Sequence, residues 1–465
     1  MVDRLSALDV SFLYLEDATT PMHVGGVLVF ARPRGGFDYG RLVSLVEERI
    51  GQVPRFRQKV VAVPGHLSNP VWADDPEFDI QYHVRHSALP KPGTDEQLAE
   101  LVARLMSRRL DRHRPLWEMY CVEGLAGGRF ALITKTHHAM VDGISAIDLS
   151  QVILDASPKG TPPVEQLWMP TPTPSATTLV RDAVSELARR PSAIVDTVRM
   201  AMLDVRSSTE LAARAAGGLL ATARIAARPA PDGPLNVEIG GQRRFAVVRS
   251  TLEDYRKVRA KYGGTVNDVV LATVAGALRV FLMTRGEPVG GSTVIRAMVP
   301  VSVRTESEQG ELGNRVLPHF IELPVGEPNP VLRLSRISYA MQAHKTGNQA
   351  SQTVGARALI KLSGFAPPTL HALGARAAGS FARKFFNVVV TNVPGPQQPL
   401  YATGARMLEV FPVVPLAKGQ PLSIGLTSYN GGVYYGLNAD RDAMGDVDVI
   451  GSLIAEALAE LVDTT

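Results

Sequence analysis

Cysteine is almost absent: the 465-residue chain has one, Cys121. A lone thiol forms no internal disulfide, so a disulfide scaffold is excluded and a reducing, cytoplasmic setting is expected. Cys121 lies in the apolar run Met119-Tyr120-Cys121-Val122 and reads as a buried structural residue rather than a nucleophile. Charge of one sign is scarce as well. With 49 Lys+Arg against 45 Asp+Glu the net charge is +4, which gives no case for nucleic acid, although a slightly basic surface suits anionic lipid or a phosphorylated cofactor. No run of eighteen or more apolar residues occurs, so no spanning helix is expected and any membrane association is peripheral. The opening Met1-Val2-Asp3-Arg4-Leu5-Ser6 has no basic region followed by an apolar core, so no secretory signal is expected. Also missing are Cys/His metal spacing, a Walker loop, a glycine-rich dinucleotide fingerprint and a Gly-x-Ser-x-Gly elbow. These absences argue against a metal site, a nucleotide cofactor and an ordinary serine hydrolase.

What is present is a globular composition, 45% hydrophobic and 20% charged, in a chain long enough for two or three domains. Its organising stretch is Thr136-His137-His138-Ala139-Met140-Val141-Asp142-Gly143. The preceding residues 129–135 are apolar and β-branched and read as a strand. Residues 144–154 place apolar side chains at helical spacing, and Asp142-Gly143 is turn chemistry. Successive strand side chains face opposite sides, so one imidazole is expected to face the core and the other a cavity. The cavity-facing ring can take a proton near neutral pH, which makes it a candidate general base. Asp142, four positions after His138, either orients that ring or turns away to pair with an arginine.

Along the chain, residues 5–16 are apolar and end in Glu16, which reads as a solvated loop residue. Residues 41–50 read as a helix, and the acidic run 74–79 as solvated surface. Leu98, Leu101, Val102, Leu105 and Leu110 predict a helix over 95–110. Arg108, Arg109, Arg112 and Arg114 crowd its end, where cations complement the helix dipole; phosphate contact is the sharper alternative. Proline-rich residues 162–174 lead into an Ala/Leu/Arg-rich stretch over 177–227, so 160–234 is expected to be a helical crossover between an N-terminal lobe (1–159) and a C-terminal lobe (235–465). In the second half, Thr265 fits an N-cap with Asp268 completing a capping box. Helices are expected at 252–261, 331–345, 353–384 and 447–462, and several antiparallel strands over 407–437.

The histidine stretch resembles the HHxxxDG motif of the bacterial wax ester synthase/diacylglycerol acyltransferase family, one of the CoA-dependent acyltransferases that also include chloramphenicol acetyltransferase and peptide-synthetase condensation domains. Further likenesses follow in family order: the opening segment, Pro115-Leu116-Trp117, Asn267-Asp268, Pro300-Val301-Ser302-Val303-Arg304 and Asn392-Val393-Pro394-Gly395-Pro396. The resemblance covers essentially the whole chain. It implies an α/β, two-lobed, chloramphenicol-acetyltransferase-like fold with mixed sheets and an interlobe tunnel. It implies His138 as the catalytic base, His137 packed behind it, Gly143 as the motif glycine, and Asp142 as a structural carboxylate paired with Arg304. Asn267 and Asn392 are expected on the substrate side, and Trp117 either lines the tunnel or fills the core. The implied reaction moves a long-chain acyl group from acyl-CoA, a substrate rather than a cofactor, to diacylglycerol or a long-chain alcohol, at the inner face of the membrane or a lipid-droplet surface. The alternatives are a related transferase that takes carrier-bound acyl groups or another acceptor, and a non-catalytic lipid-binding homologue.

Overall fold

The computed structural model describes residues 3–32, 35–141, 152–160, 168–189, 230–302, 316–347 and 385–465. The first half runs α1 (Ala7–Leu15), β1 (His23–Phe30), α2 (Tyr39–Ile50), β2 (Gln58–Val61), β3 (Val71–Asp74), α3 (Ile80–His83), β4 (Val84–Ala88), α4 (Asp95–Met106), β5 (Trp117–Glu123), β6 (Phe130–His137) and α5 (His138–Val141). After α6 (Ala176–Arg189) come β7 (Arg243–Thr251), α7 (Leu252–Tyr262), α8 (Val266–Thr284), β8 (Ile295–Ser302), β9 (Val316–Leu323) and α9 (Pro330–Gly347). The chain closes with β10 (Val388–Pro394), β11 (Tyr401–Ala402), β12 (Ala405–Val413), β13 (Leu422–Tyr429), β14 (Gly432–Asp440) and α10 (Val447–Asp463).

Two six-stranded mixed sheets organise these elements. The first has the order β11-β12-β1-β6-β5-β4, and the second β7-β14-β13-β10-β8-β9. Strand alternation divides the first sheet's side chains between two cores. Trp117, Met119 and Cys121 of β5 enter one, and Tyr120 and Val122 the other. The second sheet packs on α8, whose residues 268–278 are all buried. Among the described residues, α8 is the one helix long and apolar enough to cross a membrane, and here it is the centre of a core. Its start is the expected capping box: the Asp268 amide donates to Thr265 Oγ1 at 3.2 Å and the Thr265 amide to Asp268 Oδ2 at 2.8 Å.

Three expectations need correction. The helix expected over 95–110 stops at Met106. Besides Arg104 in its last turn, that end is met by Lys135 from β6, whose Nζ donates to the carbonyls of Leu105, at 3.2 Å, and Arg108. The acidic run over 74–79 is only partly solvated, because Asp75 is buried and pairs with Lys59 at 2.8 Å across the β2–β3 hairpin. The third concerns the lobes: β11 and β12, from the C-terminal half, complete the N-terminal sheet, with β12 antiparallel to β1. Within the expected crossover, Leu179 and Ala183 of α6 pack on Val63 and Val71 of the first lobe. The rest of that helical stretch, and the helix expected at 353–384, lie outside the described residues.

Candidate active site

The two histidines straddle the junction of β6 and α5 and have different surroundings. His137 ends the strand opposite His23 of β1 and is 1% exposed. Its backbone amide donates to the Leu116 carbonyl at 2.9 Å. Its Nδ1 accepts the Ala139 amide at 3.0 Å, which puts the proton of the neutral ring on Nε2, 4.0 Å from Glu16 Oε1. Burial, reinforced by the nearby Arg112 and His138, pulls the His137 pKa down to about 3, so this ring stays neutral at physiological pH. His138 opens α5 and is only half-buried. Its amide donates to the Met22 carbonyl at 2.8 Å, and its ring stacks on Phe12 of α1 with centroids 4.0 Å apart and planes 23° from parallel. One ring is therefore sealed in protein and the other lies against an aromatic face with part of its surface open.

Glu16 is not a solvated loop residue. Its side chain is 1% exposed and forms an ion pair with Arg112: Oε2 accepts from Arg112 Nε at 3.0 Å and Nη2 at 2.6 Å. Arg112 Nη2 also donates to the Leu13 carbonyl at 2.7 Å. The arginine that seemed to serve one helix end thus serves the end of α1 and the carboxylate behind the histidines. Sequence reasoning missed this pair because its members are 96 residues apart and nothing local links them.

The second lobe brings two other expected residues together. Asn392, on β10, donates through Nδ2 to Asn267 Oδ1 at 3.3 Å, and both are half-buried. Trp117 takes the core alternative rather than a tunnel wall. It is fully buried, its indole N–H donates to the Phe56 carbonyl at 2.7 Å, and His83 stacks on it at 4.6 Å. Cys121 is buried beside it in sequence and in core, and burial pushes its thiol pKa up, away from nucleophilic use. Asp142, Gly143 and Arg304 lie outside the described residues.

The wax ester synthase/diacylglycerol acyltransferase catalytic domain model matches residues 5–270, and the C-terminal domain model of the same family matches 312–462. A probable diacylglycerol O-acyltransferase of Mycobacterium tuberculosis, tgs2, is 35% identical over 99% of both chains. A second, tgs3, is 47% identical over 56% of this chain and 97% of its own length. Among solved structures, the wax ester synthase/diacylglycerol acyltransferase of Marinobacter aquaeolei VT8 superposes with a TM-score of 0.66 at 30% identity, covering 98% of each chain. The starter condensation domain of rhizomide synthetase RzmA shares the fold, with a TM-score of 0.58 at 15% identity over 100% of this chain and 96% of that one. With both family models matched in order on a two-lobed α/β frame, the chain belongs to the wax ester synthase/diacylglycerol acyltransferase family and is an acyltransferase.

Proposed function

We propose that the protein transfers a long-chain acyl group from acyl-CoA to the hydroxyl of a lipid acceptor, diacylglycerol or a long-chain alcohol, with His138 as the general base. The observation that carries the assignment of the base is the contrast within the pair. His137 is sealed and held neutral by burial, whereas His138 is half-buried, with part of its surface open. In the step itself, His138 accepts the hydroxyl proton as the oxygen attacks the thioester carbonyl carbon. The carbon–sulfur bond then breaks, and the imidazolium returns its proton to the departing thiolate. The products are an ester and free CoA. General-base assistance of this kind contributes about 10²–10⁴-fold, and holding two reactants in line supplies much of the rest. Water is a competing nucleophile toward the thioester, so the site gains in yield as well as rate by excluding it.

The test is one labelled long-chain acyl-CoA offered with a panel of acceptors, reading lipid product and free CoA together for wild type, His138→Ala and His137→Ala. We expect ester formation by wild type, loss of about 10²-fold or more in His138→Ala, and a smaller rate loss with lower thermal stability in His137→Ala. Full turnover by a folded His138→Ala protein rules out that base. A folded wild type that consumes no acyl-CoA with any acceptor rules out acyl transfer from CoA, leaving the carrier-dependent and lipid-binding alternatives.

A further inference from the structure

We propose that Glu16 is a positioning residue for the histidine pair, acting through Met22 and with Arg112 as its anchor. The inference rests on the acyl-transfer reading with His138 as base. In a helix, residues four apart lie on one face, so Phe12 and Glu16 look the same way from α1 and its C-cap. Phe12 stacks on His138, and Glu16 stands behind His137. Val10, Leu13 and Tyr14 turn the other way and line a cavity of about 520 Å³ shared with Val60 and Leu116. Val10 and Leu13 are also set in the first core, and polar attachments add to that packing at the ends of the helix.

The Glu16 carboxylate is the attachment nearest the chemistry. Oε2 takes both bonds from Arg112. Oε1 accepts the Met22 amide at 3.4 Å, and the Met22 carbonyl in turn accepts the His138 amide at 2.8 Å. A single residue therefore lies between the carboxylate and the backbone of His138. The connection from 16 to 22 is held from the other lobe as well. Asp17 Oδ1 accepts from the amides and hydroxyls of Thr19 and Thr20. Arg243 of β7 donates to the Thr19 carbonyl, and Lys418 reaches Asp17 at 3.3 Å. The strap is thus fastened to Arg112, to the second lobe and to His138. A purely stabilising role would not require a charge here, because the Arg112 side chain is 44% exposed and an ion pair open to solvent on one side adds little net stability over an apolar pair. What such a pair lacks is an acceptor for the Met22 amide.

That difference separates positioning from stability. Steady-state kinetics and melting curves are measured for Glu16→Gln, Glu16→Ala and the double variant Glu16→Leu/Arg112→Met, with wild type and His138→Ala in the same assay. Glu16→Gln keeps an acceptor for Met22 and is expected within about tenfold of wild-type kcat, whereas Glu16→Ala and the double variant lose about 10²-fold, with the acyl-CoA KM within about twofold. The double variant is expected to melt above Glu16→Ala while remaining slow. Wild-type kcat in the folded double variant, or a Gln variant as slow as it, overturns the proposal; so does a loss confined to KM. If wild type is inactive or His138→Ala keeps its rate, the failure belongs to the acyl-transfer reading and not to Glu16.

Discussion

At the scale of single residues, three buried histidines make acid the condition to which this fold is sensitive, and one of them, His23, is held well below its ordinary pKa by burial. His137 is a second. His83 is another: it is 1% exposed, stacked on Trp117, with Nδ1 2.7 Å from the Trp117 carbonyl. Burial lowers its pKa to about 4, and that of His137 to about 3. In the unfolded chain all three titrate near 6.5. Below about pH 6.5 the unfolded state therefore binds more protons, and stability falls as pH falls, until each folded ring protonates. Between pH 6.5 and 5, where most carboxylates are still ionised, the melting temperature is expected to drop steadily. His83→Phe should melt lower at neutral pH, because the Trp117 carbonyl loses its partner, yet show a shallower drop across that window; an unchanged slope would contradict a neutral buried His83. That the two adjacent rings have different surroundings was expected from strand parity, although the strand ends at His137 and His138 already opens α5. Asn267 and Asn392 were legible only as separate motifs, and their contact is tertiary. Glu16 was misread because local composition says nothing about an arginine that arrives from another loop.

At the scale of elements, helices were the most readable parts. The helices expected at 252–261, 331–345 and 447–462 appear within two residues of those bounds, because apolar period and capping are local signals. Leu110 extended the apolar pattern of α4 beyond its true end, since its burial is set by another part of the first core. Least readable was β12, which pairs with β1 almost 400 positions earlier. Its route explains two glycines. Gly425 and Gly436 are register partners on β13 and β14, and β12 crosses directly over them. A Cβ at position 436 would lie 1.9 Å from the Pro412 carbonyl oxygen, and one at 425 would lie 2.7 Å from Val414 Cγ2. A backbone oxygen cannot swing aside as a side chain does, so Gly436→Ala must push β12 off the second sheet. Overpacking of this kind costs about 1–3 kcal/mol, and the melting temperature should fall accordingly. Gly233→Ala, with nothing within 4 Å of the added Cβ, is the control expected to melt like wild type. Equal melting of the two variants would mean that β12 does not run against that glycine floor.

At the scale of the whole molecule, the second half of the chain completes its own sheet, whereas the first half does not. The first sheet takes β11 and β12 from the C-terminal half. One of its cores joins Leu98, Leu101 and Val102 of α4 to Phe245, Phe411 and Val413 from the second half. Charged bridges follow the same seam: Arg249 of β7 contacts Asp95 and Glu409, each at 2.6 Å, and the Arg243 amide donates to Ser107 Oγ at 3.1 Å. Lobes joined only by a linker would unfold separately, and multidomain chains commonly do. Here, loss of the second sheet removes the floor under β12, and loss of β12 strips β1 of one of its two partners and opens a shared core. The expected outcome in calorimetry is one dominant transition whose calorimetric and van't Hoff enthalpies agree. Far-ultraviolet circular dichroism and tryptophan fluorescence should follow the same midpoint, although all three tryptophans, Trp72, Trp117 and Trp168, belong to the first half. That placement makes the fluorescence a reporter on the N-terminal lobe alone. Two transitions, with the tryptophan signal following only one, would show that the shared strand does not couple the lobes. Gly436→Ala supplies the complementary measurement, since lifting β12 from the second sheet should broaden the wild-type transition or split it in two.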